Sequence, residues 1–125
     1  MRFVNPIPFV RDIAAARAFW TEIVGLTVKE DHGAFVLFEG GFAIHDGPAL
    51  ARTIFGPDHV APTQTGSETV LFYFEDPDLD AVFDRITPHV EIIHEIARQP
   101  WGQRVFRFRD LDGYLIEIGE PMEPR

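Results

Sequence analysis

A chain of 125 residues with 46% hydrophobic side chains and 12 Phe can bury the core of one domain, or of two small repeats that share a core. It has no Cys, hence no disulfide framework or thiol chemistry, and its longest apolar runs fall far short of the roughly 20 residues a membrane helix needs. A formal charge of −9 argues against nucleic acid and anionic membranes and fits either a neutral or cationic small-molecule partner or simply solubility; the N-terminus lacks a signal-peptide pattern, so a soluble cytoplasmic protein is expected.

Phe3 to Val10 reads as an extended start, with Asn5, Ile7 and Phe9 on one face. Pro6 and Pro8 lack N–H donors and must sit where no partner strand needs them. Asp12 is a good N-cap, and Ile13, Ala16, Phe19, Trp20, Ile23 and Val24 recur at helical spacing up to a stop at Gly25. Strands are expected at Leu26 to Glu30, Phe35 to Phe38 and Phe42 to Asp46, with turns at Asp31-His32-Gly33 and Glu39-Gly40-Gly41. Residues 47–67 are punctuated by Gly, Pro and Thr; only Ala49 to Phe55 suits a short helix, and so long a connection suggests a lid, binding loop or linker.

The pattern then returns. Thr69 to Phe74 is strand-like, and Asp76 or Asp78 caps a helix whose stripe is Leu79, Val82, Phe83 and Ile86, ended by Pro88. Val90 to Ile96 is a strand, and residues 101–119 form a hairpin that the dipeptide Asp112-Gly113 would turn in two residues with φ > 0. The order strand–helix–strand–strand–strand therefore occurs twice, giving an α+β fold of two βαβββ repeats: about 1–47, a connecting loop 48–67, and about 68–120. Gly41-Phe42-Ala43-Ile44-His45 parallels Gly113-Tyr114-Leu115-Ile116-Glu117, so His45 and Glu117 hold corresponding places on the last strands. Pseudo-twofold packing would bring both to one cleft.

Glu117 is the awkward residue, an acid inside an apolar run, which is costly unless paired, protonated, cation-bound or open to water. It is either a site residue or a structural acid paired with Arg104 or Arg107 across the hairpin. His45 is either a site residue or a surface histidine beside Asp46. Asn5 either reaches the site or merely shapes the backbone before Pro6. His94, reckoned to face with Ile92 and Ile96, either enters the cleft or is a satisfied core histidine. Trp101, Gln103 and Arg104 would supply an aromatic wall, an amide and a cation for a planar or anionic ligand, unless Trp101 plugs the open end of the sheet. No nucleophile elbow, phosphate loop or dinucleotide fingerprint is present.

Phe9-Val10-Arg11-Asp12, Phe19-Trp20 with Gly25-Leu26, and above all Asp110-Leu111-Asp112-Gly113-Tyr114-Leu115-Ile116-Glu117 resemble the vicinal oxygen chelate superfamily, which includes glyoxalase I, extradiol dioxygenases, fosfomycin-resistance enzymes and bleomycin-binding proteins. The resemblance spans nearly the whole chain. It implies paired βαβββ modules whose sheets curl around a shared cleft, and a homodimer. It also implies a divalent metal held by residues of the first and last strands, at Glu117, His45 and Asn5, and no organic cofactor. The remaining ligand position falls on Leu71 or Thr69, a departure from the pattern, since Leu cannot ligate. Two readings stay open: a metal-dependent lyase, isomerase or dioxygenase using Glu117 and His45, and a metal-free binding protein of the bleomycin-resistance type. A weaker third is a metal-independent lyase or isomerase with His45 and Glu117 as acid and base.

Overall fold

The computed structural model describes residues 1–60, 62 and 64–122. Among the described residues, two four-stranded sheets of identical topology account for the strands, one in each of two compact units, Met1–Thr65 and Gly66–Arg125. The α+β fold of two repeats expected from the sequence is the one observed. Positions 61 and 63 of the expected connection lie outside the described residues.

In the first unit the strands β1 (Phe9–Val10), β2 (Val28–Asp31), β3 (Phe35–Phe38) and β4 (Ala43–Asp46) run in the order β1-β4-β3-β2. β1 is parallel to β4 and the other pairs are antiparallel. The strand is much shorter than the extended start Phe3 to Val10, since Pro6 and Pro8 have no N–H to give a ladder. Helix α1 (Ile13–Ala18) starts where Asp12 accepts from the Ala15 N–H, and continues as a wider π-helical turn over Phe19–Val24. It ends at Gly25, whose φ of 95° suits glycine alone at low cost. The π turn buries Phe19 and Trp20 together, and Trp20 packs 4.6 Å from the Phe42 ring. Helix α2 (Gly47–Phe55), capped by Asp46, includes the short helix expected in the connection and begins two residues earlier.

In the second unit the strands are β5 (Ser67–Glu75), β6 (Glu91–Arg98), β7 (Arg104–Arg109) and β8 (Tyr114–Gly119), in the order β5-β8-β7-β6. Here too the first strand runs parallel to the last, which lies between the first and third. Helix α3 (Leu79–Ile86) is capped by Asp78, while Asp76 accepts from the Asp78 N–H and shapes the approach. Leu79, Val82 and Ile86 are buried, and Phe83 stands edge-on to Phe106 at 5.0 Å.

The hairpin closing this unit is not the two-residue turn that Asp112-Gly113 suggested. β7 ends at Arg109 and β8 begins at Tyr114, so four residues make the loop. Only Gly113 takes a positive φ. The Asp110 carboxylate organises the loop instead, accepting from the backbone N–H groups of Asp112 and Tyr114 at 3.0 and 2.9 Å.

Candidate ligand-binding cleft

Strand parity divides the second sheet into two faces. From β7, Arg104, Phe106 and Phe108 point toward α3; Val105, Arg107 and Arg109 point the other way. β8 follows suit, with Glu117 opposite Arg107 and, on its other side, beside Tyr73 of β5. The face away from α3 thus carries Leu71, Tyr73, Arg107 and Glu117 together.

Glu117 is 5% exposed and its charge is met: Arg107 donates from Nε to Glu117 Oε1 at 2.6 Å. The other guanidinium nitrogens are also engaged. Nη1 lies 3.0 Å from His94 Nε2, and Nη2 donates to Gln99 Oε1 at 3.2 Å. His94 Nδ1 is 2.7 Å from the Glu95 carbonyl, which only accepts. The geometry therefore places the ring hydrogen on Nδ1 and leaves Nε2 to accept from Arg107. His94 meets Arg107 because β6 slips its register between Ile92, paired with Phe108, and His94, paired with Arg107. Two steps along β6 match one along β7, a bulge that turns His94 from the Phe108 side to the Arg107 side. The sequence reading, which set His94 on one face with Ile92, assumed unbroken alternation.

A second polar chain runs beside this pair. The tight turn between β6 and β7, closed by Gln99 N–H to Gln103 O at 2.7 Å, presents Trp101 and Gln103. The Trp101 indole N–H donates to Gln103 Oε1 at 2.8 Å. Gln103 Nε2 donates to Tyr73 Oη at 2.7 Å and to the Glu120 carbonyl at 2.8 Å, and Tyr73 Oη donates to Glu75 at 2.5 Å. The buried Gln103 amide lies directly on Gly119, and a Cβ there would collide with Gln103 Nε2. Trp101 is 54% exposed, so it does not plug the sheet; it stands as a wall fixed at its N–H edge.

These groups enclose one side of an open cleft of about 370 Å³ lined by Leu71, Tyr73, Trp101, Gln103, Glu117 and Met122. Such a volume suits a small organic molecule, with apolar walls and few polar atoms to orient it. Three of the candidates read from the sequence, Trp101, Gln103 and Glu117, line it together with Leu71, Tyr73 and Met122. Tyr73 was missed because its place beside Glu117 depends on strand register, which a single sequence does not display.

The other candidates are not among the residues that line this cleft. Arg104 is on the α3 side, bound to Asp80 at 3.1 Å and to Glu120 at 3.4 Å. His94 acts on Arg107 and is not itself among the lining residues. His45 and Asn5 belong to the first unit. His45 Nδ1 is 2.9 Å from the Asp46 carbonyl, and its ring lies 6.0 Å from Phe35 across the strands. Asn5 precedes β1 and turns its amide onto the Pro6 carbonyl at 3.0 Å. Among the described residues, no group of three His, Cys, Asp or Glu could hold one metal ion.

The family model described as glyoxalase-like domain matches residues 3–123. The chain is similar to a structure from Agrobacterium tumefaciens described as a protein of unknown function, at 54% identity and a TM-score of 0.92, over 98% of this chain and 95% of that one. It is similar, at 25% identity and a TM-score of 0.67, to a lactoylglutathione lyase of Agrobacterium tumefaciens, over 95% of this chain and 92% of that one. A glyoxalase/bleomycin resistance protein/dioxygenase from Nocardioides shares the fold at 24% identity and a TM-score of 0.71, over 100% and 87% of the two chains. No curated protein matches the chain.

Proposed function

The chain belongs to the glyoxalase-like family of the vicinal oxygen chelate superfamily, and from that footing we propose that it binds a small organic molecule in the cleft of its second unit without a divalent ion on Glu117. One observation carries this reading: the Glu117 carboxylate is already matched by the Arg107 guanidinium at 2.6 Å. His94 and Gln99 hold that guanidinium from its other nitrogens. A divalent ion on Glu117 would displace the guanidinium or share its carboxylate. Like charges that close repel by several kcal/mol even at an effective dielectric of about 20. The side chains around Glu117 therefore do not suit a metal. They suit a polar floor beneath aromatic and aliphatic walls, and this supports the binding reading of the bleomycin-resistance type. The homodimer that the family resemblance implies is part of the same proposal, and sedimentation velocity measures it.

A second reading, metal-assisted lyase, isomerase or dioxygenase chemistry, draws on the atoms left open. Among the described residues, no hydrogen bond reaches Glu117 Oε2 or His45 Nε2. Metal analysis of the purified protein, followed by thermal shift with Ni²⁺, Mn²⁺, Zn²⁺ and Fe²⁺, separates the two. The binding reading expects no stoichiometric ion and no shift that depends on Glu117. A bound ion that disappears in Glu117→Gln would overturn it in favour of the metalloenzyme.

A further inference from the structure

We propose that the cleft selects ligands by the hydrogen-bond donors they carry, taking a flat apolar molecule that presents an N–H or O–H to Glu117 Oε2. This rests on the proposed binding role of the cleft and adds the class of ligand. Each polar hydrogen on a lining side chain is already used: the Trp101 N–H on Gln103, both Gln103 N–H groups on Tyr73 and the Glu120 carbonyl, and the Tyr73 O–H on Glu75. Leu71 and Met122 have none to give.

Acceptors remain. Arg107 engages Glu117 Oε1, and Oε2 holds no hydrogen bond among the described residues. No buried side-chain oxygen among them lacks a partner, so Oε2 is not sealed off; it opens into the cleft that Glu117 lines. Gln103 Oε1 keeps a second lone pair after accepting from Trp101. A ligand carboxylate or carbonyl entering here finds no lining side-chain donor and faces Glu117 instead. A ligand N–H or O–H finds a charged acceptor that is 5% exposed, where a hydrogen bond replaces little water. Trp101 and Tyr73 both line the cleft, and aromatic walls favour a planar body for that donor.

Two neutral molecules of one shape test this: indole, which carries an N–H, and benzofuran, which carries an ether oxygen in its place. Benzoate supplies an anionic arm. Titrations of the full-length ¹⁵N-labelled protein are followed by amide shifts. Indole should move Leu71, Tyr73, Trp101, Gln103 and Glu117 and bind about tenfold more tightly than benzofuran, with benzoate weakest. Glu117→Gln keeps one acceptor for Arg107 and turns an amide N–H₂ to the cleft, so indole should lose its advantage and benzoate should gain. Equal or better binding of benzofuran or benzoate by the wild-type chain, at the same resonances, would overturn the donor rule while leaving the cleft a binding site. If no probe moves those resonances, or if all move resonances elsewhere, both the donor rule and the proposed binding role fail. The wild-type comparison decides even if Glu117→Gln does not fold.

Discussion

Arg107 and Glu117 face each other across β7 and β8 at 2.6 Å, and the guanidinium that joins them is held from its other two nitrogens by His94 and Gln99. A group with a donor at each nitrogen meets three acceptors, one for each nitrogen. The corresponding place on β4 is taken by His45, whose neighbours across the strands are Phe9 and Phe35. The two repeats thus share a topology and differ in what they put at its centre.

Removing Arg107 leaves a carboxylate, an imidazole nitrogen and an amide oxygen converging on an empty position. Arg107→Ala should lose about 2 kcal/mol in urea denaturation, below the value for a fully buried pair because the Arg107 side chain is 25% exposed. The acceptor set left behind is one that binds Zn²⁺ or Mn²⁺. Part of the lost stability should return with either ion in Arg107→Ala, while the wild-type chain gains none. Arg107→Lys, a single point charge, should not restore the full value. If metal stabilises wild type and variant alike, the guanidinium is not what keeps cations away.

The repeat, the helix that follows the first strand of each repeat and the last-strand places of His45 and Glu117 were legible because apolar period, Asp caps and the stops at Gly25 and Pro88 announce them. So was the choice at Glu117, since Arg107 was one of two cations within reach. Parity alone separates Arg104 from Arg107: an odd number of residues lies between same-face positions, and two lie between these. The place of His94 was hidden by a bulge that breaks parity, and that of Tyr73 by an unseen register. Pro6 and Pro8 signalled lost donors, and the cost proved to be most of a strand.

Gly119 should tolerate no side chain without dismantling the cleft wall. A Cβ at this position meets the Gln103 amide. Gly119→Ala must push that amide off Tyr73 and the Glu120 carbonyl, and should cost about 1–3 kcal/mol as overpacking. The local readout is the Trp101 indole N–H resonance, which should move upfield as its bond to Gln103 is lost. An unchanged resonance would show that Gln103 does not depend on Gly119.

Trp101→Ala should separate binding from stability. The side chain is 54% exposed and stands at a turn, so its removal should change the melting temperature by no more than about 2 °C. Binding of indole should weaken about tenfold, as stacking on one aromatic wall is lost. A large drop in melting temperature would mean that Trp101 closes a core after all; unchanged affinity would remove it from the site.

Asp110 should give the fold a pH dependence of unusual sign. Burial pushes its carboxyl up from the usual carboxylate value of 3.8 to about 6, although the backbone N–H groups of Tyr114, Asp112 and Gly113 pull the other way. The folded chain therefore holds this proton more tightly than the unfolded chain does. Its contribution is complete below about pH 4, fades as the pH rises toward 6, and is absent above that. The difference amounts to about 2–3 kcal/mol at 1.36 kcal/mol per unit. Asp31, Asp80 and Glu120 are held below their usual values by hydrogen bonds and Arg partners, and they act in the opposite direction as the pH falls. The comparison that isolates Asp110 is thus wild type against Asp110→Asn. The amide oxygen of Asn can still accept from the Asp112 and Tyr114 N–H groups, so the four-residue loop should persist. Asp110→Asn should be the more stable protein at pH 7, and the gap should close between pH 6 and pH 4 in urea denaturation. A gap that stays constant across that range would mean that the Asp110 carboxyl does not gain a proton on folding.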